Sequence, residues 1–296
     1  MLKGITFSLL ASALFGYLYY FSTFLLPLDG EDIFGYRVIF TTPFVIAAIF
    51  IFKQKYMLIQ HFKRIKRQPW LLFVLLFNGS IMGFQMWLFL WAPNNGGALS
   101  VSLGYLLLPL VMVAVGRFFF NEQISRLKFS AILIAGIGIL ATIILNGGFS
   151  WESLAVCTYA IYFMSRKWFG FNDITSFAIE MVMTLPVCFY FASQVDLAAV
   201  RLQNPNILTL LLLLGLISGV AFNAYIAASS LLPINVLGIL GYAEPIMMLV
   251  VSFVIGEKID PDNAPLLISL ILGMGLIILD GVQSLKKKTP SKNRES

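Results

Sequence analysis

The feature that most limits what this chain can fold into is a succession of long, almost uncharged apolar runs. Ten of them lie at approximately 4–26, 32–52, 70–92, 96–119, 129–146, 150–168, 174–193, 206–229, 235–255 and 264–283. Each is as long as a helix that crosses a hydrocarbon layer about 30 Å thick. The breaks between them are short and rich in charge, Pro, Gly or Asn. With 59% hydrophobic and 11% charged residues over 296 positions, the side chains are too apolar for one aqueous core. The first run begins near Gly4 behind a single Lys3 and has the length of a span, so it is expected to be a first helix and not a cleaved leader.

The net charge of +6 is distributed as in a membrane protein, which argues against a nucleic-acid partner. With the N-terminus in the cytoplasm, 17 of the 20 Lys and Arg residues fall on that side. They include the block from Lys53 to Arg67, then Arg117, Arg126, Lys128, Arg166, Lys167 and the tail from Lys286. Arg201 and Lys258 lie in outer loops and Arg37 within a span. The positive-inside rule therefore puts both termini in the cytoplasm of a multi-pass protein of the cytoplasmic membrane.

The chain repeats itself. Leu103-Gly104, Pro109, Glu122 and Gly136-x-Gly138 recur in order as Leu237-Gly238, Pro245, Glu257 and Gly273-x-Gly275, and Arg37 with Pro43 recurs as Glu180 with Pro186. Corresponding points are about 135–143 residues apart. Residues 1–146 then form one five-helix repeat, 147–285 a second, and 286–296 a basic tail. Because five is odd, the second repeat starts from the opposite membrane face. The expected fold is all-α, integral to the membrane, with ten transmembrane helices in two inverted repeats, an arrangement used by secondary carriers.

An ionisable group inside a span costs roughly 2.5–3.5 kcal/mol on insertion scales and demands an explanation. Glu244 precedes Pro245 near the middle of span nine, where proline prevents ideal helix. It reads either as a site for a proton or a substrate ammonium, or as a neutral acid at a kink. Arg37 and Glu180 sit at equivalent repeat positions but opposite depths. They are not expected to bond each other; each reads as a gate at a cavity mouth or, by the preferred reading, as snorkelling toward headgroups or helix ends. Glu122 and Glu257 end spans four and nine, against the helix dipole, and are expected to need a basic partner such as Arg126 or Lys258. Asn78, Gln85 and Asn223 are helix glue or ligands, and Tyr105 and Tyr242 flank the two prolines.

Several chemistries find no support. One histidine, His61, and two scattered cysteines, Cys157 and Cys188, offer neither metal-site spacing nor a disulfide framework. No Walker sequence appears, and the Gly-x-Gly pairs read as close helix packing and not as nucleotide loops. A membrane enzyme on lipid or isoprenoid substrates would need an acidic cluster. Asp29/Glu31/Asp32 and Asp260/Asp262 are better explained as solvated turns. A non-transporting assembly subunit is the other rival, and a channel lacks a filter-like repeat.

The chain also resembles RarD-like members of the EamA family of the drug/metabolite transporter superfamily. The resemblance runs along nearly its whole length, most specifically in Trp91-Ala92-Pro93-Asn94-Asn95 followed by Ser102-Leu103-Gly104-Tyr105, Pro109 and Glu122. Asp32-Ile33 with Arg37-Val38, Tyr162 with Arg166-Lys167, Glu180 with Leu185-Pro186-Val187, and Gly256-Glu257-Lys258 add to it. Departures are Ser100, Tyr36, Gln85-Met86 and Glu244, so a substrate does not carry over from a relative. The resemblance implies ten helices in two inverted halves and transport of small metabolites or drugs.

The expectation is a carrier, not an enzyme, exporting small organic solutes by alternating access around a cavity lined from spans 1, 3, 4, 6, 8 and 9. Gln85, Tyr105, Asn223, Tyr242 and Glu244 would meet the solute. Gly104, Pro109, Gly238 and Pro245 would supply kinks, and Arg37, Glu180 and Glu244 would gate or couple. No cofactor or metal is expected; the partners are a small-molecule substrate and the bilayer, with proton or cation coupling, in a monomer or homodimer.

Overall fold

The structure is a computed structural model that describes residues 2–121, 123–232 and 234–288. Glu122 and the end of the tail, 289–296, lie outside the described residues. The helices are α1 (Leu2–Phe21), α2 (Gly30–Ile51), α3 (Lys55–Arg67), α4 (Leu71–Trp91), α5 (Ala98–Phe120), α6 (Arg126–Asn146) and α7 (Trp151–Cys157). They continue with α8 (Tyr159–Phe169), α9 (Ile174–Gln194), α10 (Leu197–Gln203), α11 (Ile207–Leu231), α12 (Ile234–Leu240), α13 (Ala243–Val254) and α14 (Ala264–Lys288). No strand occurs among the described residues. α14 carries on to Lys288, so the tail expected from residue 286 begins inside a helix.

Among the described residues nine segments are long and apolar enough to span a membrane. They correspond to nine of the ten expected runs. The remaining run, 150–168, is divided into α7 and α8, of seven and eleven residues, at Thr158. There the Thr158 hydroxyl donates to the Ala155 carbonyl at 2.6 Å, and Gln85 Nε2 donates to the same carbonyl at 2.8 Å. That carbonyl is satisfied from the side, so the ladder can break without an orphaned acceptor.

Span nine is broken as well, at Gly241 and Tyr242 between α12 and α13. Pro245 accounts for the position. It lacks an N–H, and its ring would crowd the carbonyl four residues back, at Gly241. In the first turn of α13 neither defect matters, because those N–H groups have no helical partner anyway. α5, α2 and α9 instead run unbroken through Pro109, Pro43 and Pro186.

The acids in the loops cap helices. Asp29 and Asp32 form a capping box on α2, Asp173 caps α9, Asp196 caps α10 and Asp260 caps the turn Pro261–Asn263. The acidic clusters are thus explained by orphan N–H groups at helix starts.

Packing is helix on helix. α6 lies on α14; α1 on α11 and α13; α2 on α9 and α11; α4 on α8 and α9; α5 on α7 and α13. One of these contacts, α2 on α11, depends on two glycines. A Cβ on Gly215 or Gly219 of α11 would fall within the Phe40 or Phe44 side chain of α2. Small residues let apolar helices approach where lipid provides no hydrophobic drive between them. In the Gly-x-Gly pairs, Gly138 touches Ser269 and Gly273 touches the Ala131 carbonyl, whereas Gly136 and Gly275 face open space. Large apolar side chains on the outside, such as Phe73, Phe118 and Ile144, are more than three-quarters exposed and suit lipid.

Candidate functional site

Polar side chains gather at three levels of the bundle. At the level of α3, Arg166 of α8 is the hub. Its Nε donates to the Phe171 carbonyl at 2.7 Å, and its terminal nitrogens donate to the Asp173 carbonyl at 2.7 Å, Ser176 Oγ at 3.2 Å and Glu180 Oε2 at 3.2 Å, and also to the Tyr162 hydroxyl. Glu180, with no exposed surface, further accepts from Tyr162 Oη at 2.9 Å and Asn78 Nδ2 at 3.3 Å. The network reaches α3 through His61 Nε2, 2.7 Å from Asp173 Oδ2, and through Arg64, which donates to the Phe169 carbonyl at 2.7 Å. Burial alone raises the Asp173 pKa. The hydrogen bond and charge of His61, the Thr175 hydroxyl and the Ser176 amide outweigh it and hold the carboxyl below its ordinary range.

The second level is the middle. Arg37 of α2 is 3% exposed; its Nε donates to Ser218 Oγ of α11 at 3.1 Å, and its Cζ lies 5.2 Å from the Phe89 ring centre of α4. Among the described residues no carboxylate lies within 4 Å of its guanidinium. Tyr105 of α5, Tyr159 of α8 and Glu244 of α13 nevertheless act on it electrostatically. Glu244 is half-buried and accepts no hydrogen bond from any described residue. Tyr105 and Tyr159 are half-buried too. Because residue 109 is proline, the Tyr105 carbonyl receives no helical N–H. Four helices therefore contribute one cation, one acid and two phenols whose fields act on one another inside the bundle. Charges act over longer distances there than in water.

The third level is the end of the bundle remote from α3. The Glu257 carboxylate accepts the N–H groups of Ala98 at 2.9 Å and Leu99 at 2.5 Å, and Tyr19 Oη donates to the Ala98 carbonyl at 2.8 Å. Asn94 and Asn204 tie the connections at this end to the Ser22, Phe24 and Leu26 carbonyls.

Three expectations are corrected by this geometry. Arg37 and Glu180 do not snorkel: each is almost wholly enclosed, Arg37 with one hydrogen bond to Ser218 and Glu180 paired with Arg166 inside the bundle. Glu257 takes as its partner the start of α5 and not Arg126 or Lys258; the positive end of that helix supplies the compensation a basic side chain would have given. The break in span nine falls at Gly241–Tyr242, before Pro245 and not at Gly238, which is exposed.

The other predicted site residues fall in distinct places. Gly104 does not interrupt α5; it makes room for Val156 and Ser153 of α7. Gln85 commits its amide nitrogen to Ala155 and Thr158 and leaves Oε1 buried without a protein partner. Asn223 donates to the Gly219 carbonyl at 2.8 Å, and its Oδ1 and the Tyr242 hydroxyl are likewise buried and unpartnered. Sequence reasoning missed the role of Arg166, counted among the cytoplasmic-side charges and in the family resemblance, and the Lys128–Asp280 pair at 3.7 Å between α6 and α14. A signal for the first existed: Tyr162/Arg166 and Ser176/Glu180 are both four apart, placing two polar pairs on helix faces.

Comparison with known proteins agrees with this architecture. The EamA-like transporter family matches twice, over residues 2–144 and 147–279. An uncharacterized transporter of Pasteurella multocida is 63% identical over 97% of this chain and 99% of its own length. The chloramphenicol-sensitive protein RarD of Pseudomonas aeruginosa is 36% identical over 91% of this chain and 93% of its own. A solved crystal structure with 17% identity aligns with a TM-score of 0.56 over 94% of this chain and 98% of its own, a likeness of fold alone. With both halves matched and relatives alike over nearly their full length, this chain, a multi-pass membrane protein, belongs to the EamA-like transporter family.

Proposed function

We propose that this membrane transporter exports small organic metabolites or drugs across the cytoplasmic membrane by alternating access. The observation that carries the reading is the buried Arg37, without a carboxylate in contact and within the field of Glu244, Tyr105 and Tyr159, together with the break between α12 and α13. Charged groups and an interrupted helix are tolerated at depth where they line a cavity. Carriers commonly build their substrate sites from such discontinuous helices.

Counting α7 with α8 as one span makes ten, and residues 1–146 and 147–285 then form two inverted repeats. The packing supports this pairing. Exchanging each span for the one five later turns the contact of α1 with α11 into that of α7–α8 with α4, and the contact of α2 with α11 into that of α9 with α4. It also turns α5 on α7 into α13 on α1, while α2 on α9, α5 on α13 and α6 on α14 map onto themselves. The double family match supports the same repeat. In the orientation given by the positive charges, both termini and α3 are cytoplasmic. The Arg166–Glu180 network then closes the inner mouth, the Glu257 contact with α5 closes the outer, and one opens as the other shuts. Gln85, Asn223 and Tyr242 contribute polar atoms to the pathway, and Glu244 couples transport to a proton or cation. The protein works as a monomer or homodimer.

The test is untargeted metabolite analysis of cells and spent medium, comparing the intact protein with a Pro245→Leu variant shown to reach the membrane. A solute enriched outside only with the intact protein is expected; enrichment inside reverses the direction, and no difference across varied media removes the export reading.

A further inference from the structure

On their outward faces α4 and α8 leave a cavity of about 400 Å³ between them, within the range of ordinary ligand sites, roughly 300–1,000 Å³. Its walls are Phe73 and Phe77 of α4 and Ile161, Met164 and Trp168 of α8, and Ser165 is the smallest side chain lining it. Ile161, Met164, Ser165 and Trp168 recur three and four apart, the spacing of one helix face. Tyr162 and Arg166 take another face, which is buried in the Glu180 network. Phe73 is 76% exposed and Trp168 63%, so the cavity is a groove open to lipid and not a chamber of the bundle interior.

One end of the groove is cationic. Phe169, the last residue of α8, lines it, and the Phe169 carbonyl accepts Arg64 Nη1 of α3 at 2.7 Å. Trp70, just ahead of α4, packs edge-on against the Phe169 ring, their centres 5.6 Å apart. Arg64 is half-buried and lies among the exposed Lys63, Lys66 and Arg67 that end α3. Among the described residues none of these four cations pairs with a carboxylate. Because α3 joins the end of α2 to the start of α4, this end of the groove is at the membrane surface, the cytoplasmic one by the distribution of positive charge. A groove open to hydrocarbon with a cationic end at headgroup level matches an anionic phospholipid. A neutral lipid would leave the cations without a counter-charge, and a soluble anion would leave the apolar groove unused.

We propose that the groove between α4 and α8 holds an anionic phospholipid of the inner leaflet, with an acyl chain along the groove and the phosphate received by Arg64. Lys63, Lys66 and Arg67 add to the field that attracts the headgroup. α8 has eleven residues, too few to cross a bilayer alone, and it carries Arg166 on its inner face. The bound lipid covers the outer face of this short helix and so braces the Arg166–Glu180 network from outside. The site needs no transported solute and stands apart from the export reading.

The experiment is native mass spectrometry of the full chain released from a neutral detergent. The protein is titrated with phosphatidylglycerol and with phosphatidylcholine of the same acyl chains. The first phosphatidylglycerol is expected to bind at least about fivefold more tightly than the first phosphatidylcholine, the contribution typical of one basic side chain near an anionic headgroup. Arg64→Gln should abolish this preference and Arg64→Lys, which keeps the charge, should retain it. Lys55→Gln, at the other end of α3, should leave it unchanged. Ser165→Phe, which fills the groove, should weaken both lipids alike. Glycerol 3-phosphate, which has the phosphate without the chains, should not displace the lipid. Equal binding of the two lipids by the intact protein overturns the proposal without recourse to any variant. A preference that survives Arg64→Gln, or that Lys55→Gln lowers as much, marks general attraction to a basic surface and overturns it too. Unchanged binding by Ser165→Phe, or displacement by glycerol 3-phosphate, removes the groove from the site.

Discussion

Replacing Glu180 by glutamine would test whether the Arg166 network is an energetic unit. The side chain of Glu180 has no exposed surface and that of Arg166 is 10% exposed, so solvent screens the pair little. Removing one partner of a buried pair costs about 3–5 kcal/mol, because the remaining charge is left uncompensated. Glu180→Gln belongs at the lower end, near about 3 kcal/mol by that measure. Arg166 keeps the Phe171 and Asp173 carbonyls and Ser176, and the new amide still offers an oxygen to Asn78 or Tyr162. Arg166→Gln should cost more, by about 1–3 kcal/mol for acceptors left unsatisfied. The double variant removes both charges and should lose less than the sum of the single losses, with a coupling of at least about 2 kcal/mol in a double-mutant cycle. The assay is reversible unfolding in mixed micelles titrated with a denaturing detergent and followed by tryptophan fluorescence. Losses that add to within about 0.5 kcal/mol would show that the two residues act independently and would refute the reasoning.

Asp173 predicts a pH dependence. Its folded pKa lies below the unfolded value, so the stabilisation is complete above about pH 4 and disappears as pH falls through the lower folded value. Asp173→Asn should flatten the acid limb of a stability profile; an unchanged limb would assign acid loss elsewhere. Gly215→Ala should force α11 away from Phe40 and cost about 1–3 kcal/mol of overpacking, whereas Gly136→Ala, which meets nothing within 4 Å, should be close to neutral in the same unfolding assay. Glu257→Gln should weaken the start of α5 by about 0.5–2 kcal/mol, the range for a lost helix cap, read as faster amide exchange at Ala98 and Leu99. Exchange rates equal to those of the intact protein would show that the contact does not hold that helix end.

Much of the architecture was legible because a bilayer constrains sequence strongly. A backbone in hydrocarbon must satisfy its own polar groups, so runs of about twenty apolar residues read directly as helices. Nine of the ten expected runs recur as helical segments within a few residues of their expected ends. The tenth did not read as two pieces, since residues 151–169 contain no Gly or Pro to mark the break at Thr158. The Ala155 carbonyl there accepts from Thr158 and also from Gln85, some seventy residues earlier, a contact the sequence does not announce. The kink in span nine was announced by Pro245, but its place at Gly241–Tyr242 follows from the geometry of the proline ring, which acts four residues upstream.

The buried charges divide in the same way. The sequence by itself determined that Arg37, Glu180 and Glu244 lie within spans, because the apolar residues around them admit nothing else, and that each such charge requires compensation. It also determined that Gly and Pro would recur at matching points of the two halves. Only the tertiary structure decided which compensation each charge receives. Arg166 was one basic residue among many until packing of α8 against α4 and α5, with the turn into α9, closed it around Glu180. Glu257 met a helix terminus, and Arg37 and Glu244 met no charged partner in contact. Periodicity along one helix fixes the face a side chain takes. What stands opposite that face depends on contacts between different helices, and those exist only once the bundle is assembled.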